Sequence, residues 1–141
     1  MGVITSKGIV GIVKNTSANY STVQSILNTN SQINTKLKKS NHFGSLIWNT
    51  KNPHIVQLID IPRLAPLIIG DTVVTGGRST IFPEGLLVGI INDFSLNENN
   101  NSYTLNIQLF NDMTNLEHVY IIENYDANEI NMLEKEVENA E

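Results

Sequence analysis

Few side chains in this sequence have the types and spacing that chemistry requires. The three histidines, His42, His54 and His118, stand far apart, and none has a second ligand at His-x-His or His-x₃-His spacing. Ser79, in Gly77-Arg78-Ser79-Thr80, is placed like a nucleophile but lacks the Gly-x-Ser-x-Gly elbow. His42 or His54 with Ser79 is the only base–nucleophile set on offer, and it is drawn from turns and loops. Asp60, Asp71, Asp93 and Asp112 fall at strand ends or turns, where aspartate commonly bonds its local backbone. Gly76-Gly77 opens like a phosphate loop, yet the Lys-Ser/Thr and the helix that should follow are missing. There is no cysteine, which excludes disulfides, thiolate metal sites and cysteine catalysis. These residues assign no catalytic, cofactor or metal site, and the expectation is a protein that is not an enzyme.

What is patterned is shape. Gly70 to Gly89 reads as a turn at Gly70-Asp71, a β-branched strand at Thr72-Val73-Val74-Thr75, and a break at Gly76-Gly77. A second turn at Phe82-Pro83-Glu84-Gly85 leads into Leu86-Leu87-Val88-Gly89-Ile90-Ile91. The elements around this block carry the same grammar. Gly8 to Lys14 is a strand with Gly8 and Gly11 permitting close backbone approach. Strands are expected over Tyr20–Leu27, Gln32–Lys38, Ser45–Asn49 and Ile55–Asp60, then over Tyr103–Leu109 and Leu116–Ile122. Turn signals separate them every eight to twelve residues, giving nine or ten strands and no helix before Asn124. This is the signature of an all-β fold of small antiparallel barrels. Phe43 and Trp48 are expected in its core. Asn97 to Ser102 reads as a polar linker. Asp126 to Glu129 has the form of a capping box, so the acidic end is expected to be a short helix or a disordered tail.

With 141 residues, 40% hydrophobic and only 6% aromatic, the chain has the size of one ordinary domain with an Ile/Leu/Val core. Its net charge of −5 is concentrated in the acidic tail, and the body is nearly neutral. That argues against a nucleic-acid footprint. The one basic cluster, Lys36, Lys38 and Lys39, reads as a solvated strand end. No apolar run approaches the roughly 18 residues of a membrane span.

In order along the chain, several segments resemble the rod shape-determining protein MreC family in its extracytoplasmic β-rich region. Val3-Ile4 with Gly8-Ile9-Val10-Gly11-Ile12-Val13 is similar to the family's opening Gly-Val-Val-Gly-x-Val, and Tyr20-Ser21-Thr22-Val23 to its Tyr-Ser-x-Val. Gly44-Ser45-Leu46 stands where the family has Gly-x-Leu. Gly70-Asp71-Thr72-Val73-Val74-Thr75-Gly76-Gly77 matches Gly-Asp-x-Val-Val-Thr-Ser-Gly, with Gly76 in place of the serine. Phe82-Pro83-Glu84-Gly85 and Val88-Gly89 match Phe-Pro-x-Gly and Ile/Val-Gly, and Leu116 to Ile121 resembles the closing strand.

The resemblance implies a two-barrel architecture with the membrane-proximal barrel incomplete. Residues 1–94 would form a barrel, 95–124 a linker and strands of the second barrel, and 125–141 the tail. It also implies a non-enzymatic, cofactor-free scaffold of the cell-elongation machinery in the periplasm, membrane-anchored through a segment outside this sequence. The implied partners are a class B penicillin-binding protein, which is a cell-wall transpeptidase, other rod-shape membrane and cytoskeletal proteins, and the chain itself. Gly8, Gly11, Gly70, Asp71, Gly76, Gly77, Phe82, Pro83, Gly85 and Gly89 would transfer only as structural positions. Two other readings stay open: an enzyme on a protease-like double barrel, and a barrel binding a small ligand or oligonucleotide. The last would want aromatic platforms and a basic groove, and both are sparse here.

Overall fold

The computed structural model describes residues 1–78 and 81–123, and every described element is a strand. There are ten: β1 (Gly2–Thr5), β2 (Gly8–Thr16), β3 (Ser21–Ser25), β4 (Ile33–Leu37) and β5 (Phe43–Ile47), then β6 (Ile55–Pro62), β7 (Thr72–Thr75), β8 (Leu87–Asn97), β9 (Ser102–Leu109) and β10 (Tyr120–Ile122). β4 to β9 close into an antiparallel barrel in the order β4-β5-β6-β9-β8-β7, and β10-β1-β2-β3 form a second, open sheet. The alternation seen in the sequence places Ile33, Leu37, Leu46, Val56, Leu58, Val73, Ile91, Leu105 and Ile107 inside, all buried. Ile9 of the open sheet and Ile26, just beyond β3, belong to the same apolar cluster, with Ile4, Ile12 and Ile122 packed against it. The two sheets therefore share one core.

This division differs from the boundary expected at residue 94. β9 pairs with both β6 and β8 inside the closed barrel, so only β10 crosses to the open sheet. Conversely, β1 to β3 lie outside the barrel that was expected to contain them. The cause is the Asn-rich segment. It is the loop of a long hairpin in which Asn97 faces Ser102, with Asn101 in the left-handed region at φ 53°. Asparagine tolerates that conformation better than other non-glycine residues, so the run that reads as a linker makes a tight reversal. Asp60 and Asp93 also depart from expectation. They lie within β6 and β8, where the pairing shifts register, and Asp60 has φ 66°. A bulge of this kind bends a strand without ending it. The expected helix after Asp126 lies outside the described residues.

The register gives the barrel two distinct ends. At one, loops 26–32, 48–54, 76–86 and 110–119 meet the open sheet. At the other, loops 38–42, 63–71 and 98–101 point away from it.

Candidate functional site

The loop between β7 and β8 is built on Thr75, which is 1% exposed. Its hydroxyl donates to Pro83 O at 2.6 Å and accepts from Leu86 N at 2.9 Å. Its backbone pairs with Leu86 O and Gly85 N. A β-branched strand residue thus ties both ends of the Phe-Pro-Glu-Gly turn. The turn drives Phe82 to 1% exposure against β1, where a Cβ on Gly2 would lie 2.5 Å from its ring. Phe82 is thereby a pin between the open sheet and the barrel.

The same loop folds across the outer face of β4 and β5. Glu84 pairs with Lys36, whose Nζ also donates to Asn41 Oδ1 at 3.0 Å. Arg78 lies 3.7 Å from the centre of the Phe43 ring. Lys36 is therefore buried and paired, not part of a solvated strand end. Lys38 and Lys39 stay exposed, with Lys39 reaching Asp71 at 3.1 Å. Nothing in the local sequence marks Lys36 apart, because its partner stands 48 residues away. Phe43 is half-buried on this outer face, while Trp48 packs against the core and donates to Asn52 O at 2.9 Å.

The remaining motif positions fall into place around this loop. Gly70 precedes β7 at φ 93° in open space, and Asp71 N donates to Ile68 O at 3.1 Å. Gly8 faces Leu87 O, Gly11 the backbone of Gln24, Gly76 the Asn34 amide and Gly89 the carbonyl of Gln108. Gly77 faces Glu84, and Gly85 lies in open space. Close by, Asn111 is 4% exposed. It donates to Gly8 O at 2.9 Å and Ile9 O at 3.1 Å, and accepts from the Thr5 hydroxyl. This second pin between the sheets carries no sequence signal beyond being one asparagine among many.

The two histidines weighed as catalytic bases stand apart. His42 follows β4 and His54 precedes β6, at opposite ends of β5. A five-residue strand separates such positions by about 13 Å. Ser79 lies outside the described residues. His42 Nδ1 is 2.9 Å from Ser40 Oγ, and His54 Nδ1 is 4.0 Å from Asp112 Oδ1. The Asp112 carboxyl is held below its ordinary range, first by the Thr114 hydroxyl and backbone N–H, then by the charges of His54 and Lys7. His118 stands in a groove with Lys7, Asp112 and Glu117. Among the described residues no three His, Cys, Asp or Glu side chains gather as a metal site, and no helix is long and apolar enough to cross a membrane.

The feature that does stand out is apolar surface. At the barrel end away from the open sheet, Leu64 is 92% exposed, with Ile68 and Ile69 on the same loop. Phe94 and Leu96 of the projecting hairpin are also exposed there, Phe94 stacking edge-on against Tyr103 at 5.7 Å. Soluble proteins rarely gather large apolar side chains at one place on the surface without a partner.

Comparison with known proteins bears on the family and the fold. A family model described as rod shape-determining protein MreC, barrel core, matches residues 1–123. The cell shape-determining protein MreC of Listeria monocytogenes is 28% identical over 125 residues, covering 86% of this chain and 42% of the relative. A solved structure of the Listeria MreC superposes with TM-score 0.78 at 29% identity, over 84% of this chain and 58% of that one. An MreC of Helicobacter pylori, solved in complex with a penicillin-binding protein, PBP2, has the same fold with TM-score 0.68 at 19% identity, over 84% of this chain and 73% of that one. The chain thus spans less than half of the curated relative's length.

Proposed function

Because the chain belongs to the MreC family of rod shape-determining proteins, we propose that it is a non-enzymatic scaffold of the cell-elongation machinery, holding peptidoglycan-synthesis enzymes in place outside the cytoplasmic membrane. On this reading the barrel is periplasmic and the whole protein is membrane-anchored. Its partners include a class B penicillin-binding protein, other rod-shape membrane and cytoskeletal proteins, and further copies of itself. The ten motif positions, from Gly8 to Gly89, serve shape and hold no cofactor.

The observation that carries the proposal is that Leu64, Ile68, Ile69, Phe94 and Leu96 are all exposed at one end of the barrel. A scaffold needs a face that a folded partner can dehydrate, and this one sits clear of the junction between the sheets. The Helicobacter relative supports a penicillin-binding protein as the partner class. Burying three aliphatic side chains contributes about 1.5–3 kcal/mol each when fully covered. Leu64→Asp with Ile69→Asp is therefore expected to weaken binding of the cell's class B penicillin-binding protein at least about tenfold, while thermal stability stays close to that of the parent. Calorimetric titration with the purified transpeptidase domain checks this. Unchanged affinity in the double variant would remove the cluster from the interface, and no binding by the parent would remove the partner.

A further inference from the structure

A second feature lies on the outer face of β6, β9 and β8. There a groove of about 320 Å³ is lined by the side chains of Asn49, Gln57, Asn92 and Asn106, together with Asp93 and Lys51. A directed chain of hydrogen bonds organises it. Asn49 N donates to Gln57 Oε1 at 2.9 Å, Gln57 Nε2 to Asn106 Oδ1 at 3.2 Å, and Asn106 Nδ2 to Asp93 Oδ1 at 2.6 Å. These bonds fix which way the Gln57 and Asn106 amides face. The Gln57 and Asn106 amides each spend one N–H in the chain and keep the other, their oxygens each keep a lone pair, Asp93 keeps its second oxygen, and Asn49 Oδ1 accepts from Lys51 N at 3.1 Å. Gln57 is buried at 6% exposure, so its orientation is set by packing as well. The Asn92 side chain stands exposed beside them.

The chemistry of the lining narrows the ligand. One carboxylate gives no metal site. One lysine set against Asp93 gives no anion or nucleic-acid site. An extended peptide would bind by adding a strand, which needs an unpaired sheet edge. β6 and β9 are paired on both sides, and the free edge of β8 beyond Ile91 lies on the side away from β9, so the groove between these strands presents no unpaired backbone. What remains is a neutral ligand that offers adjacent donors and acceptors to planar amides, with a C–H face for Ile55, the apolar residue of the lining.

We propose that this groove is a saccharide site for a chain bearing hydroxyl and acetamido groups. The assignment goes beyond the scaffold reading and stands on the groove alone, so either can fail without the other. Chitotetraose titrated to about 10 mM into the isotopically labelled protein tests it by NMR. Saturable shifts are expected at the side-chain amides of Asn49, Gln57, Asn92 and Asn106. Asn92→Ala and Asp93→Ala, both at exposed positions, are expected to weaken binding about threefold or more while the rest of the spectrum is unchanged. Absence of saturable shifts in the groove would overturn the proposal, as would equal binding by both variants. Shifts of the groove amides by tetra-alanine but not by the sugar would assign it to peptide and also overturn it.

Discussion

At the scale of single residues, two threonines facing each other across β4 and β7 have opposite roles. Thr35 and Thr75 are register partners, both fully inside, at 0% and 1% exposure. The Thr75 hydroxyl satisfies Pro83 O and Leu86 N, whereas the Thr35 hydroxyl has no hydrogen-bond partner among the described residues. A buried hydroxyl left unpaired costs stability, and one that satisfies two backbone groups leaves both orphaned when removed. Thr75→Val is expected to destabilise by about 1–3 kcal/mol, while Thr35→Val is neutral or stabilising by up to about 1 kcal/mol. Urea unfolding of the two variants checks this, and equal losses would refute the distinction. The sequence shows both as β-branched strand residues and cannot separate them, because the difference lies in what a loop eleven residues away does. Lys36 is a similar case. Its burial depends on Glu84, and no local pattern announces a partner so distant in sequence.

At the scale of elements, most strands were legible, since β-branched runs bounded by Gly, Asn and Pro set both their type and their spacing. The bulges were not. Asp60 and Asp93 look like strand ends because aspartate favours turns, yet the pairing resumes beyond them. The motif glycines also look alike in sequence and differ in the strands they serve. Gly70 adopts φ 93° with open space around it, so alanine there meets only backbone strain. Gly89 sits within β8, where an added Cβ would run into the Gln108 carbonyl of β9. Gly70→Ala is expected to cost about 1–2 kcal/mol. Gly89→Ala must push apart β8 and β9, and its loss should exceed that of Gly70→Ala by at least about 1 kcal/mol. Paired thermal melts decide it. The reverse ranking would mean that the β8–β9 pair yields more easily than its close backbone approach implies.

At the scale of the whole molecule, the all-β class and the barrel were readable, but the allotment of strands was not. A polar asparagine run has the same composition whether it links two units or turns one hairpin, and only pairing partners distinguish the two. Those partners make the open sheet dependent on the barrel. The sheet has four strands, and its Ile9, with Ile26 just beyond β3, completes a cluster otherwise drawn from the barrel and its loops. Two tethers hold it there: the Asn111 side chain across Thr5, Gly8 and Ile9, and the Phe82 ring against Gly2. A single shared core predicts one cooperative transition, in which the barrel reporter Trp48 and amide exchange in β1 and β2 follow the same curve. Removing the Phe82 ring leaves a cavity at the junction, so Phe82→Ala is expected to cost about 3–5 kcal/mol. That loss falls at the seam. Amides of β1 and β2 should then exchange well before Trp48 fluorescence changes, with the closed barrel persisting as the more stable unit. Coincident curves in Phe82→Ala would mean that the barrel cannot stand without the sheet, and that closure of its six strands adds too little to outlast the loss of the pin.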